Sequence, residues 1–253
     1  MIIPKHTEVV VCSYGGVGTT FLMEYLSNFK KINRFYDEDG AKHFPIPPIS
    51  VNKNLKFVYI FGDPEMATIS LFRRNFHHRQ STKLLRLTTK NLKPIPLEMS
   101  LEAYVSEGID RFLFEDHFNN WYKHYLTHPT IFIRYENLYD VLPTLFDFLD
   151  IPREHLKGFP PKRERSSVGT VSDDTKRKIT HMYGEFSHAL KELPDCEIKE
   201  PVSEKPLFVT YLKPIYAKVM LIWLLFVFQL TAKKRLPGIY GFLRDIKTKV
   251  TGR

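Results

Sequence analysis

Cysteine is scarce in this chain, and its scarcity excludes a fold that disulfide bonds hold together. Only two cysteines occur among 253 residues, Cys12 in an apolar run and Cys196 in a polar one. Disulfide-dependent domains are short and carry several cysteines, because their cores are too small to fold without cross-links. This chain is long enough to bury one α/β core, so we expect both thiols to be free, as in a reducing compartment.

The N-terminus lacks the apolar segment that a secretory signal would contain. Residues 1–6 read MIIPKH, and a strand-like run, Glu8 to Cys12, follows almost at once. A signal peptide needs an apolar stretch of about 7 to 15 residues after its basic start. Together with the free thiols, this predicts a main domain, residues 1–200, that faces the cytoplasm.

Acidic residues are fewer than basic ones: the chain has 28 Asp and Glu and 37 Lys and Arg, which gives a formal net charge of +9. The excess is concentrated at residues 162–165, at residues 176–178 and from Lys205 onward. Such a balance suits nucleic acid, an acidic membrane face or an anionic substrate. No zinc-finger, homeodomain-like or RNA-platform motif is present in the sequence, so we expect no nucleic-acid partner.

Long apolar runs are lacking until the C-terminal part of the chain. Residues 214–232 read PIYAKVMLIWLLFVFQLTA, with one charge, Lys218, and basic residues on both flanks. A bilayer span needs about 20 such residues. Three interpretations stay open: a tail anchor, a helix lying flat in the headgroups beside the basic segment 239–250, or a buried core helix. We expect residues 201–253 to form a membrane-associating extension, with contact through residues 206–250.

Glycine is concentrated between the first strand-like run and a helix-like segment, Phe21 to Phe29. The residues from Ser13 to Phe21 read SYGGVGTTF. A strand, a glycine turn and a helix start form a cradle for an anion, because unpaired N–H groups and the helix dipole point at the turn. A phosphate-like or sulfate-like occupant is predicted. The alternative is a turn whose glycines serve only tight packing.

The glycine loop lacks the lysine that a nucleoside triphosphatase requires. Such an enzyme places Lys and then Ser or Thr after its last glycine, to reach the terminal phosphates and to hold magnesium. Here Thr19 and Thr20 follow Gly18, and no Lys occurs between Lys5 and Lys30. This argues against ATP or GTP hydrolysis and against a nucleotide or small-molecule kinase.

Strand-like and helix-like segments alternate along residues 1–200, which predicts an α/β fold with a parallel sheet. Strands are expected at 55–61 and 130–135, each before a helix, and Asp63 is the expected cap of the helix that begins at Pro64. Residues 75–97 are basic and read as irregular, like an insertion or a substrate-side loop. Further helices are expected at 98–108, 112–125, 137–149 and, capped by Ser172, 173–193.

Several of these segments, in order over residues 7–193, resemble sulfotransferases that use 3′-phosphoadenosine 5′-phosphosulfate (PAPS). Tyr14 to Thr20, YGGVGTT, is similar to the family's Tyr-Pro-Lys-Ser-Gly-Thr-Thr loop, which holds the 5′-phosphosulfate. Lys42 and His43, in KHFP, stand where the family has a Lys-x-His-x-Pro-like segment whose His is the general base. An imidazole suits that role because it titrates near neutrality.

Three more segments continue the resemblance. Residues 60–70, IFGDPEMATIS, are similar to the family's strand, Arg-Asn-Pro turn and helix, in which the Arg and a Ser bind the 3′-phosphate, and Ser70 occupies the Ser position. Arg163 and Arg165, before SSVG, resemble the basic segment that closes over that phosphate. Residues 131–138, IFIRYENL, resemble a scaffold segment of the family.

The resemblance implies a three-layer P-loop-like α/β fold and an enzyme that transfers a sulfuryl group from PAPS to a hydroxyl acceptor, for which lipid and glycan hydroxyls are candidates. It implies no metal. His43, with Lys42 beside it, would be catalytic. The residues that would bind the donor are Gly15, Gly16, Val17, Gly18, Thr19, Thr20, Ser70, Arg74, Arg163 and Arg165.

The chain departs from the family's pattern at two positions where a cation would neutralise the donor. Gly16 replaces the loop Lys, and Gly62 replaces the Arg. Lys42, Arg74 or Arg165 could compensate through space. Each uncompensated contact would cost about 1.5 to 3 kcal/mol. The alternative function is therefore a catalytically degenerate module of the same fold that binds or scaffolds at a membrane.

Overall fold

A computed structural model describes residues 3–48, 50, 52–123, 126–162 and 171–201. Within these residues, one sheet has the strand order β1-β2-β3-β4. Strands β1, β2 and β3 pair in parallel, and β4 is antiparallel to β3. Their bounds are Val9–Cys12, Lys56–Phe61, Thr130–Arg134 and Cys196–Lys199.

The three parallel strands are almost wholly buried. Every residue of β1 is buried, and so are all residues of β2 after Lys56. Parallel strands that are covered on both faces read as continuous apolar runs, as VVVC and FVYIF do. The predicted α/β class with a parallel sheet is confirmed.

Helices alternate with these strands, and side-chain caps explain where several of them begin. Asp63 accepts a hydrogen bond from the Glu65 N–H, and Ser172 accepts one from the Thr175 N–H, so both predicted caps are confirmed. The helices α1 to α7 cover Thr19–Leu26, Pro64–Arg73, His77–Leu84, Leu101–Glu107, Phe114–Tyr122, Leu138–Phe148 and Asp173–Lys191. Shorter 3-10 turns cover Leu85–Leu87, Tyr135–Asn137 and Arg153–Gly158.

The expectation of irregular structure throughout residues 75–97 is wrong, because α3 lies there. His77 stacks on Phe72 with ring centroids 4.4 Å apart, and Gln80 and Leu84 are buried on the same helix. These contacts bury a face whose sequence, HHRQSTKL, has little apolar character. Strand β4 was not predicted either, since CEIK carries no apolar run.

Two parts of the sequence prediction, the basic donor-binding segment and the membrane-associating extension, fall where the structure is not described. Arg163 and Arg165, and the extension at residues 206–250, lie outside the described residues. Among the helices that are described, none has both the length and the apolar character needed to cross a bilayer.

Candidate functional site

The glycine loop connects β1 to α1 through three residues in the left-handed region. Gly15, Gly16 and Gly18 have φ angles of +98°, +76° and +69°. Two hydroxyl contacts close the loop: Ser13 Oγ lies 2.7 Å from Thr19 Oγ1 and accepts a hydrogen bond from the Gly15 N–H at 3.1 Å. The loop thus delivers the open N-terminal turn of α1 to the carboxyl end of the sheet, where anions bind.

Close packing explains why positions 16 and 18 carry glycine. A Cβ added at Gly16 would lie 2.8 Å from the Ala67 Cα and 2.9 Å from the Ala67 carbonyl oxygen, both on the backbone of α2. At Gly18 it would collide with the Tyr135 ring. A backbone neighbour cannot move aside as a side chain can, so a lysine at position 16 is sterically excluded here.

Lys42 brings a cation to the start of α1 from another part of the chain. Its Nζ donates to Thr20 Oγ1 at 2.5 Å and to the Phe35 carbonyl oxygen at 2.7 Å. Only 5% of the residue is exposed. Burial is the main reason that the pKa of Lys42 falls to about 8. The Asp37 carboxylate opposes this shift, and the positive charges of Lys83 and Arg74 add to it.

His43 lies beside the loop with one ring nitrogen fixed. Nδ1 donates to the Ser13 carbonyl oxygen at 2.8 Å, since a carbonyl only accepts, and Nε2 is the nitrogen left to take a proton. Burial lowers the pKa of His43 to about 4, so the imidazole is neutral at pH 7. The segment is anchored at the next residue, where Trp121 Nε1 donates to the Phe44 carbonyl oxygen at 2.9 Å.

A buried ion pair lies behind these two side chains. Asp37 and Lys83 approach to 2.5 Å, with 2% and 9% of their side chains exposed. The other Asp37 oxygen accepts the Lys42 N–H at 2.9 Å. Asp37 has a φ of +63°, a conformation that Asp and Asn tolerate better than most residues.

These groups surround one cavity of about 420 Å³. Cations outnumber carboxylates on its walls, because Lys42, Lys83 and two arginines face a single aspartate. The lining residues are Gly15, Gly16, Gly18, Thr19, Thr20, Phe21, Phe35, Tyr36, Asp37, Lys42, His43, Leu71, Arg74, Phe76, Arg79, Gln80 and Lys83.

The structure therefore brings together most of the predicted site residues, but not all. Five of the six loop residues, Lys42, His43 and Arg74 line the cavity. Val17 is buried and points at Gly62 instead. Ser70 lies on α2 one turn before Arg74, whose Nε donates to the Ser70 carbonyl oxygen at 3.1 Å, and does not line this cavity.

Gly62 lies against a carboxylate. A Cβ at this position would be 3.0 and 3.2 Å from the two Glu136 carboxylate oxygens, one of which accepts the Asp63 N–H. Tyr14 fills the other side, where its hydroxyl donates to the Gly62 carbonyl oxygen and accepts the Gly62 N–H at 2.9 Å. The cation that contacts the Glu136 backbone is Lys162, whose Nζ donates to the Glu136 carbonyl oxygen at 3.5 Å.

Sequence reasoning missed several of the charged and polar residues that line the cavity. Arg79, Gln80 and Lys83 fall in the segment that was expected to be irregular, and Asp37 lies in a polar run, DEDG, that resembles an ordinary exposed turn. A helical pattern could have been found only from the burial of α3, which depends on tertiary contacts. The described residues contain no cluster of His, Cys, Asp or Glu that could hold a metal ion.

No protein-family model matches the sequence, and no curated protein matches it. Among solved structures, the chain is similar to mouse sulfotransferase SULT7A1 complexed with PAP, with 14% identity and a TM-score of 0.45. The similarity covers 76% of this chain and 90% of that one.

Proposed function

We propose that the cavity binds the phosphosulfate end of PAPS and transfers its sulfuryl group to a hydroxyl acceptor. The observation that carries the proposal is the meeting of three features in one cavity: the open first turn of α1, the Lys42 ammonium on Thr20, and the His43 imidazole on Ser13. Backbone N–H groups and an ammonium are the donors that a sulfate or phosphate oxygen requires.

Lys42 supports the proposal because it supplies the charge that the loop lacks. Lysine cannot stand at position 16, but the Lys42 Nζ reaches the same helix turn through Thr20. Its surroundings are already polar and water-poor, so its attraction to an oxyanion is stronger than it would be in bulk water. An anion bound there would raise the pKa of Lys42 again and keep it charged.

His43 would act as the base. Burial holds its pKa at about 4 in the empty site, well below the near-neutral value that suits a base, and the negative charge of a bound phosphosulfate would raise it. The acceptor hydroxyl oxygen attacks sulfur and gives its proton to His43 Nε2, while the bond between sulfur and the bridging phosphate oxygen breaks. The products are a sulfate ester and 3′,5′-adenosine bisphosphate. The negative charge that develops on the leaving phosphate falls to Lys42 and the loop N–H groups, and the Ser13 carbonyl oxygen orients the imidazolium.

A test of catalysis uses radiolabelled PAPS with a panel of phenol, sugar and lipid alcohols. His43→Ala should abolish sulfate transfer yet retain bisphosphate binding, whereas His181→Ala, an exposed histidine of α7, should change neither. An unaffected transfer rate in His43→Ala would remove His43 from its role.

The Glu136 carboxylate beside Gly62 favours a second candidate function, a binding module without catalysis. This candidate predicts that the protein binds the bisphosphate but transfers sulfate to no acceptor.

Membrane association through residues 206–250 is proposed on the sequence alone. Truncation after Pro206 should release the protein from anionic vesicles in a flotation assay. Unchanged partitioning of the truncated chain would refute the extension as an anchor.

A further inference from the structure

We infer that the acceptor is a hydroxyl compound with a negative charge of its own, and that Arg79 holds this charge at the mouth of the cavity. The inference rests on the proposed sulfuryl transfer and adds the class of acceptor. It concerns the wall formed by Phe76 and by α3 residues Arg79, Gln80 and Lys83.

The cavity has two kinds of wall. The loop, the first turn of α1 and Lys42 form the wall that suits the phosphosulfate. Phe76, Arg79, Gln80 and Lys83 form a second wall, which abuts the loop where Gln80 Nε2 donates to the Tyr14 carbonyl oxygen at 2.8 Å. In-line transfer requires the acceptor oxygen on the far side of sulfur from the leaving phosphate. The acceptor must therefore occupy space that the loop does not enclose.

The basic side chains of the second wall differ in whether their charge is free to bind an anion. Lys83 lines the cavity, but its charge is paired with that of Asp37. Arg79 is exposed, and its Nη2 donates to a neutral group, the Tyr36 carbonyl oxygen, at 3.2 Å. Among the residues that the structure describes, no carboxylate lies within ion-pair distance of Arg79. Its charge is thus held in place and still open to an anion.

Exposed aromatic rings stand beside this charge. Tyr36 is 69% exposed and Phe76 is 48% exposed, and both line the cavity. The Arg74 guanidinium lies over the Phe76 ring, 5.3 Å from its centroid. Large apolar side chains that rim a charged cavity are typical of binding sites, and flat aromatic faces suit the face of a phenyl or sugar ring. A ring with a hydroxyl and an acidic group matches both features.

The test compares acceptors that differ only in charge, with protein saturated by 3′,5′-adenosine bisphosphate. One pair is 4-hydroxyphenylacetate and its neutral amide, and the other is methyl glucuronide and methyl glucoside. Calorimetry should show that the charged member of at least one pair binds about fivefold more tightly, which is the size expected for one partly exposed charged contact. Arg79→Gln should bring the ratio of the two affinities, charged over neutral, toward one without weakening the binding of the neutral member.

Arg73→Gln is the matched control, because Arg73 is an exposed arginine near the end of α2 that does not line the cavity. It should keep the full preference. Equal binding of both members in both pairs, or a preference that survives Arg79→Gln, would overturn the inference. A loss of bisphosphate affinity in Arg79→Gln would also overturn it, because Arg79 would then serve the donor. Failure of the wild-type protein to bind the bisphosphate is a different result and would overturn the proposed function itself.

Discussion

The Lys42 ammonium donates to the Thr20 hydroxyl at 2.5 Å, across 22 residues of sequence. This contact places the cation at the helix turn that the glycine loop opens. The loop could not carry its own lysine, because a side chain at Gly16 would collide with the backbone of α2. The positive charge of the site thus comes from the segment that also carries His43.

Lys42→Met should weaken binding of 3′,5′-adenosine bisphosphate by about tenfold or more, since one charge-assisted contact is worth about 1.5 to 3 kcal/mol. Methionine keeps most of the buried volume, so the fold should persist. Calorimetric titration measures the change, and Lys53→Met, at an exposed lysine away from the cavity, is the control. Equal affinities of Lys42→Met and wild type would show that Lys42 does not replace the loop lysine.

Gly16→Ala and Gly108→Ala form a matched pair. Both glycines have positive φ, +76° and +66°, but a Cβ at Gly16 meets Ala67 whereas a Cβ at Gly108 meets nothing within 4 Å. Gly108→Ala should cost about 1 kcal/mol of unfolding free energy for backbone strain alone, and Gly16→Ala should cost at least about 2 kcal/mol more. Urea titration compares the two, and similar losses would mean that the close approach of α2 is not a constraint.

Asp37→Asn should destabilise the protein by about 3 kcal/mol, because it leaves the Lys83 ammonium buried without its partner. Asparagine keeps the positive φ and an oxygen for the Lys42 N–H, so the loss reports mainly the ion pair. Adding Lys83→Met removes the unpaired charge and should recover most of the unfolding free energy. If the double variant is no more stable than Asp37→Asn, the loss of the ion pair with Lys83 does not cause the destabilisation.

The stability of the protein should fall as the pH falls from about 6.5 toward 4. The pKa of His43 is about 4 in the folded protein against 6.5 for an unperturbed histidine, so protonation favours the unfolded chain. This contribution is complete above pH 6.5 and is lost below it, with a slope of up to about 1.4 kcal/mol per pH unit. Burial also lowers the pKa of His117 and of His128, so these residues contribute to the same slope. His43→Gln should make the dependence of the urea midpoint on pH shallower between 6.5 and 4 without abolishing it, and an unchanged slope would contradict the lowered pKa of His43.

The sequence was informative where local chemistry decides the structure. The capping side chains of Asp63 and Ser172, the apolar strands and the glycine turn each depend on near neighbours, and all appear as expected. Helix α3 was missed because its buried face is mostly polar, with Leu84 as its one apolar residue beside His77, Gln80, Ser81 and Lys83, and tertiary contacts alone explain that burial. The same helix carries Arg79, Gln80 and Lys83, so the wall of the cavity that these residues form could not be predicted from local pattern.

The site also contains contacts that no spacing predicts. The Asp37–Lys83 pair joins residues 46 positions apart (83 − 37 = 46), and neither belongs to a recognisable motif. By contrast, Lys42 and His43 could be named in advance because a resemblance pointed to them, and both line the cavity.

Binding of the sulfate donor in this cavity is tested most directly by calorimetric titration of the wild-type protein with 3′,5′-adenosine bisphosphate, compared with ATP and magnesium. We expect that the bisphosphate binds, that Lys42→Met weakens this binding, and that ATP with magnesium gives no binding heat. Binding of ATP with magnesium but not of the bisphosphate, or no heat from either ligand, would contradict this expectation.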